Sequence, residues 1–321
     1  MSMNSDDVSD LLDGILKAVK DHTEEFPPIP LLRNVKELLE FLANLPKKKD
    51  FSYSNRTWPT DLRIIIRRLL QTFKIDEEYL NYCFELSSLT VLIIGVVWFS
   101  PDLQFLVLLS GLTSGRLRII MDNPEQIDIN RLLPCLTLLE FFIRAIEDSD
   151  FVDEQDATSL SRHVQEAASF IFEYLATCEE EKISLDMEVL LVLYRFSCAF
   201  LAIDGASIVN RDLLKGAIRT LMKVSEFCIK QNDAKTAGLL ILSLPDFPSL
   251  PDNTLDLILD YLRLLYPTKE AKDSIVQACS IMDPLKERTD WYTPASKKYG
   301  EEFARAVNDS RLIEILGQLK D

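Results

Sequence analysis

LSSLTVLIIGVVWFSPDLQFLVLLSGL, residues Leu86 to Leu112, is the most apolar stretch of the chain. Val91 to Phe99 runs nine residues without a charged or hydroxyl-bearing side chain, and Phe105 to Leu109 adds five more. A membrane-crossing helix needs about 18–20 consecutive apolar residues. Here Ser100, Pro101 and Asp102 interrupt the run near its middle, where a charge and a missing backbone donor cost most. Pro101 fits the first turn of a new helix with Ser100 as its N-cap. The spacing therefore predicts two short helices, at 88–99 and 101–110, apolar on nearly every face. Helices of that kind have to be covered by other helices. The stretch reads as a buried core, with amphipathic segments packed around it.

Composition agrees with that reading. The chain has 321 residues, 47% of them hydrophobic and 27% charged, a globular balance. That length suffices for two ordinary domains or one extended array of repeats. The two Asp-Gly pairs, Asp13-Gly14 and Asp204-Gly205, do not lie between alternating runs as hairpin turns would. The fold class is all-α.

Charge and targeting signals narrow the setting. Acidic residues number 51 against 35 basic ones, a formal net charge of −16. Such a surface repels a phosphate backbone, so direct nucleic-acid binding is not expected. MSMNSDD at the N-terminus lacks the basic and apolar regions of a signal peptide. Cys83, Cys135, Cys178, Cys198, Cys228 and Cys279 are widely spaced within helical patterns and form no CxxC pair. They read as small core residues in a reducing compartment, which places the protein in cytoplasm, nucleus or both.

Amphipathic segments flank the core stretch. An acidic helix over Asp6–Lys20 carries Leu11, Leu12, Ile15 and Val19, and Phe26-Pro27-Pro28-Ile29-Pro30 separates it from the next. Trp58-Pro59-Thr60-Asp61 opens a helix whose inward residues run from Leu62 to Phe73, and Asp76-Glu77-Glu78 opens another. Asn130 is the expected cap of a helix through Ile146, a long helix covers 154–178, and Asn210 caps one through Lys230. Pro245 to Pro251 is punctuation, and Ser310 is the expected cap of the last helix. About fourteen helices result.

Leu38-Leu39-Glu40-Phe41-Leu42 returns as Leu138-Leu139-Glu140-Phe141-Phe142, and Ile258-Leu259-Asp260-Tyr261-Leu262 is of the same kind. Helix pairs recur every ~40–55 residues, close to the armadillo/HEAT period of about 40–47. The chain thus resembles the armadillo/HEAT-type proteins over residues 29–283, with an acidic N-terminal helix and connection at 1–28 and capping helices at 284–321. The resemblance implies an irregular right-handed superhelix and a surface that holds a partner protein.

Catalytic chemistry is sparse. His22 and His163 are the only histidines. His163 and Cys178 lie fifteen residues apart on one expected helix, about 22 Å, too far for a dyad. Gly111-Leu112-Thr113-Ser114-Gly115 is followed by Arg116 rather than the Lys-Ser/Thr of a phosphate loop, and reads as a turn between helices. No cofactor or metal is expected, and the chain does not read as an enzyme.

Two patches are candidate partner-binding sites. Lys47, Lys48, Lys49, Arg56, Arg63, Arg67 and Arg68 form a basic cluster in an acidic chain, with Arg63 and Arg67 on one helical face. The bland alternative pairs them with the acidic N-terminal helix. Trp291 and Tyr292, in a connection ending at Pro294, offer an exposed aromatic anchor, or else packing over the last helices. The function expected is a non-enzymatic scaffold or adaptor for a partner with a basic surface, with no membrane role. A regulator gripping a folded domain of an enzyme or chaperone ATPase is the narrower version. An all-α enzyme with an acidic metal site is the alternative of another class.

Overall fold

The structure, a computed structural model, describes residues 4–20, 26–45, 55–148, 151–266 and 271–319, the side chains of Glu125 and Ala271 excepted. Fourteen α-helices and four short 3-10 turns lie among these residues, and no strand does. The helices are α1 (Ser5–Lys20), α2 (Ile29–Asn44), α3 (Trp58–Leu70), α4 (Glu77–Ile94), α5 (Leu103–Ile120), α6 (Ile129–Glu147) and α7 (Glu154–Glu181). They continue as α8 (Met187–Leu201), α9 (Arg211–Lys230), α10 (Ala234–Ile241), α11 (Thr254–Leu265), α12 (Ala271–Leu285), α13 (Pro294–Val307) and α14 (Ser310–Gln318). Two compact units result, Met1–Val164 and Gln165–Asp321. Within each, helices pack on near neighbours in the chain. In the first unit α1 lies on α2 and α3, α2 on α4, and α4 and α5 on α6. In the second, α9 lies on α10 and α11, α11 on α12 and α13, and α14 on α12 and α13.

The apolar stretch supplies core residues but is not covered on every face, since Leu92 is 42% and Val97 57% exposed, and its joint falls elsewhere than the sequence predicts. Gly95, at φ 87°, ends α4 in a conformation that side-chain-bearing residues avoid. Val96–Phe99 then makes one 3-10 turn. Ser100 has helical φ and ψ and closes that turn instead of capping a helix. Asp102 has the non-helical backbone a cap requires, and its carboxylate accepts from Phe105 N at 3.1 Å. Downstream, Gly111–Gly115 makes no turn, because α5 runs through it to Ile120. A Cβ on Gly111 would stand 3.1 Å from His163 Cε1, so the glycine admits the imidazole. Close packing there outweighs the low helix propensity of glycine. By length and composition α5 could cross a membrane, with 44% of its residues buried.

Around the joint, Trp98 and Phe105 meet edge to face at 5.8 Å, and Phe99 reaches Phe142 of α6 at 6.3 Å. Trp98 Nε1 donates to Pro59 O at 2.8 Å, which ties α3 to this cluster. Phe73, expected inward, is 85% exposed. Its helix has already ended at Leu70, and Lys74 beside it turns left-handed at φ 59°, leaving Phe73 in a surface turn.

Several helix starts depend on aspartates. Asp128 caps α6 and Asp309 caps α14, one or two residues before the expected Asn130 and Ser310. Asp carboxylates at these extended positions reach the free N–H groups, while Asn130 and Ser310 are already helical. The start of α3 has no cap of its own. Asp13 of α1 supplies one from across the unit, accepting from Thr57 N at 3.1 Å, Thr57 Oγ1 at 3.0 Å and Trp58 N at 2.6 Å. Asp13→Ala will therefore cost about 1–2 kcal/mol, read as a lower urea midpoint, and Asp13→Asn clearly less. Equal losses for the two variants would refute capping as the cause.

Candidate functional site

The expected basic cluster does not form a free surface among the described residues. Lys47, Lys48 and Lys49 lie outside those residues. Arg56 is held by Asp6 at 3.0 Å and by Asp10, both on α1. Arg63 and Arg67 do share a face of α3, but that face meets the turn leading into α5. Arg63 is 7% exposed and donates to Trp98 O, while Arg67 pairs with Asp102. Burial lowers the Arg63 pKa below the ordinary arginine value, with the Asp102 charge opposing the shift. Arg68 alone of the described members is exposed.

Trp291 and Tyr292 are not an exposed anchor. Trp291 is fully buried, its Nε1 donates to Leu285 O at 2.9 Å, and its carbonyl accepts from Leu255 N at 3.0 Å. Tyr292 is 8% exposed and meets the indole edge-on at 5.4 Å. The connection is pinned because its two backbone and side-chain bonds reach α11 and α12, which no local signal reveals.

The nucleophilic side chains are equally committed. All six cysteines are buried, and burial pushes the Cys83 and Cys135 thiols up to about 12. A thiol in that state is neutral at physiological pH, whereas the thiolate is the nucleophile and metal ligand. His163 Nδ1 lies 2.8 Å from Ser110 Oγ, and that hydroxyl also donates to Val107 O at 2.8 Å. With the serine proton so placed, Nδ1–H donates to Ser110, and the pair is a tie between α5 and α7. His22 lies outside the described residues. Among the described residues no group of three or more His, Cys, Asp or Glu side chains is placed to hold a metal ion.

The second unit carries a groove of about 500 Å³ between α9 and the turn that precedes α11. Met222, Leu250 and Pro251 supply its apolar lining. Arg219, Lys223 and Glu226 come from one side, Asp252 and Asn253 from the other, and Asn253 Nδ2 donates to Glu226 Oε1 at 3.0 Å. On the α11 side, Asp256 and Asp260 lie four residues apart on one edge of the helix, and Asp252, in the turn before it, adds its charge to theirs. Burial raises the Asp256 carboxyl above its usual range, and Asp260 and Asp252 raise it further. On the α9 side, Arg211, Lys215, Arg219 and Lys223 follow the same spacing, and all four are exposed. Both periodicities are readable in the sequence, where a four-residue count of charges along α9 and α11 finds them.

A close approach keeps α9 in place. An added Cβ at Gly216 would meet Ala176 Cβ of α7 at 2.6 Å, so only glycine lets the two helices touch there. Beside that contact Glu179 of α7 accepts from Lys223 at 2.7 Å and from Thr220 at 3.2 Å. The bond from Lys223 is the main reason its carboxyl titrates below the usual range.

A family model described as Neurochondrin matches residues 31–233, which includes all of α9. No curated protein and no solved structure matches the chain.

Proposed function

We propose, from the premise that the chain belongs to the Neurochondrin family, that it is a non-enzymatic scaffold receiving a basic segment of a partner protein on the Asp252–Asp256–Asp260 edge. The observation that carries this reading is the state of Asp256, whose carboxyl is raised by burial and by two like charges. No side-chain hydrogen bond or salt bridge engages these three carboxylates among the described residues. An arrangement that repels itself in the isolated chain is relieved by a lysine or arginine from outside. The neighbour-on-neighbour packing of the helices supports an armadillo/HEAT-type architecture for that scaffold. Six buried, unpaired thiols support a reducing compartment, cytoplasm or nucleus, as its place of work.

The sign of the titration follows. A carboxyl raised by folding binds its proton more readily in the folded chain, so its effect is to lower stability as pH rises through the Asp256 titration. Asp256→Asn is accordingly expected to be neutral or slightly stabilising at neutral pH, while weakening partner binding. The binding test uses a fluorescently labelled peptide of alternating lysine and serine, followed by anisotropy at low and high salt. The triple variant D252N/D256N/D260N should bind it roughly tenfold more weakly, as three partly exposed ion pairs imply, and with a shallower salt dependence. Unchanged affinity in the triple variant would sink the assignment.

A further inference from the structure

A surface of opposite sign lies on the other side of the same groove. α9 carries five basic residues, Arg211, Lys215, Arg219, Lys223 and Lys230, against two acidic ones, Asp212 and Glu226. In a chain with 51 acidic and 35 basic residues that local excess is the reverse of the whole. Several arginines elsewhere in the fold, Arg56, Arg67, Arg116 and Arg131, are bonded to carboxylates. Among the described residues, Arg211, Lys215 and Arg219 have no side-chain hydrogen bond or salt bridge, although Arg219 lies in the field of Glu179. Lys223 is the one member of the row held in place, by Glu179. Three charged, exposed side chains are thus left in line on a helix locked to α7 at Gly216.

From this arrangement we propose that the Arg211–Lys215–Arg219 ridge, continued into the groove at Lys223, is a docking site for an extended acidic segment of a partner polypeptide. The spacing fits such a segment. Residues four apart on a helix advance by about 6 Å, and same-side residues of an extended chain by about 6.7 Å. Alternate carboxylates therefore meet successive cations of the ridge. Where the ridge reaches Lys223, Met222, Leu250 and Pro251 give an apolar seat for one side chain of the segment. Glu226 and Asp252 on the rim repel a second run of carboxylates, which fixes where the acidic part must stop. A short peptide carries few charges, so the ridge governs its local field within a Debye length of about 8 Å. A phosphate backbone long enough to follow the ridge runs on into the acidic remainder of the surface, which favours a polypeptide over nucleic acid.

The proposal is independent of the basic-partner reading, because the two surfaces bear opposite charge and are removed by different substitutions. The test uses the full chain and a labelled peptide of alternating glutamate and serine ending in leucine, read by anisotropy. Binding should weaken as salt rises, and R211S/K215S/R219S should lower affinity roughly tenfold. R211K/R219K should retain it, and D252N/D256N/D260N should not weaken it. All three ridge side chains are exposed, so an unchanged circular-dichroism spectrum and melting temperature are expected for the ridge variant. Unaltered affinity in R211S/K215S/R219S overturns the proposal. So does tighter binding of a single-stranded oligonucleotide, which would make the ridge a phosphate site, or an equal loss in the aspartate variant.

Discussion

Trp291→Ala will lower the stability of the chain by about 3–5 kcal/mol, the usual cost of deleting a fully buried aromatic side chain. The indole is among the largest fully buried side chains, and Tyr292 packs edge-on against it. Two losses combine in the variant. A cavity opens under α11 and α12, and Leu285 O loses the donor that Nε1 supplies at 2.9 Å. Trp291→Phe separates them, since it keeps most of the ring volume and removes only the donor. Its expected cost is about 1–2 kcal/mol. Equilibrium urea unfolding reads both variants. A loss under about 1 kcal/mol for the alanine variant would show that the connection does not hold the second unit together.

The second large effect is an asymmetry in the first unit. Arg116 on α5 is only 6% exposed, and its guanidinium donates to both oxygens of Glu77 and, at 2.8 Å, to Asn81 Oδ1. Glu77 is half-exposed and is also bonded by Arg131 at 3.0 Å. Removing Glu77 strands a buried cation with one neutral acceptor, and Glu77→Ala should cost about 3 kcal/mol. Removing the cation leaves a carboxylate that water and Arg131 still serve, so Arg116→Met should cost less than about 1 kcal/mol. The bond from Arg116 is the main reason the Glu77 carboxyl is held below its usual range. A depressed carboxyl gives its full stabilisation above the pKa of the unfolded chain and loses it as pH falls through the folded value. Wild type should thus destabilise in that acidic window by a step that Glu77→Ala lacks. Equal costs for the two variants, or identical acid profiles, would count against a buried ion pair.

Sequence and structure agree on what is local and part where distant residues meet. The row Glu77-Glu78 is legible as favourable charge at a helix start, yet nothing in it tells that Glu77 neutralises Arg116 from α5. Arg63 and Arg67 are legible as one face, but the face turns out to meet Trp98 and Asp102. The Trp-Tyr pair, legible either as an exposed anchor or as packing over the last helices, proves to be core, since Leu255 of α11 and Leu285 of α12 bond Trp291. The α9 ridge is the contrary case. Its four-residue spacing is plain in the sequence, and what was not plain is that Arg211, Lys215 and Arg219 would remain without side-chain partners.

The sequence by itself determined that the chain is all-α, where most helices begin and end, and that the stretch from Leu86 to Leu112 contributes core residues, among them Leu86, Val91, Trp98, Phe99, Phe105, Leu106 and Leu109. Those features rest on apolar spacing at 3.6 residues per turn and on proline and glycine breaks, which act over a few residues. Tertiary structure alone decided that Asp13 caps α3, that Gly111 marks a contact instead of a turn, that Gly216 admits α7, and which charges stay free. Each of these depends on a donor, an acceptor or a free volume supplied by a residue roughly 40 or more positions away, and a charged or polar side chain settles its role only when that neighbour arrives.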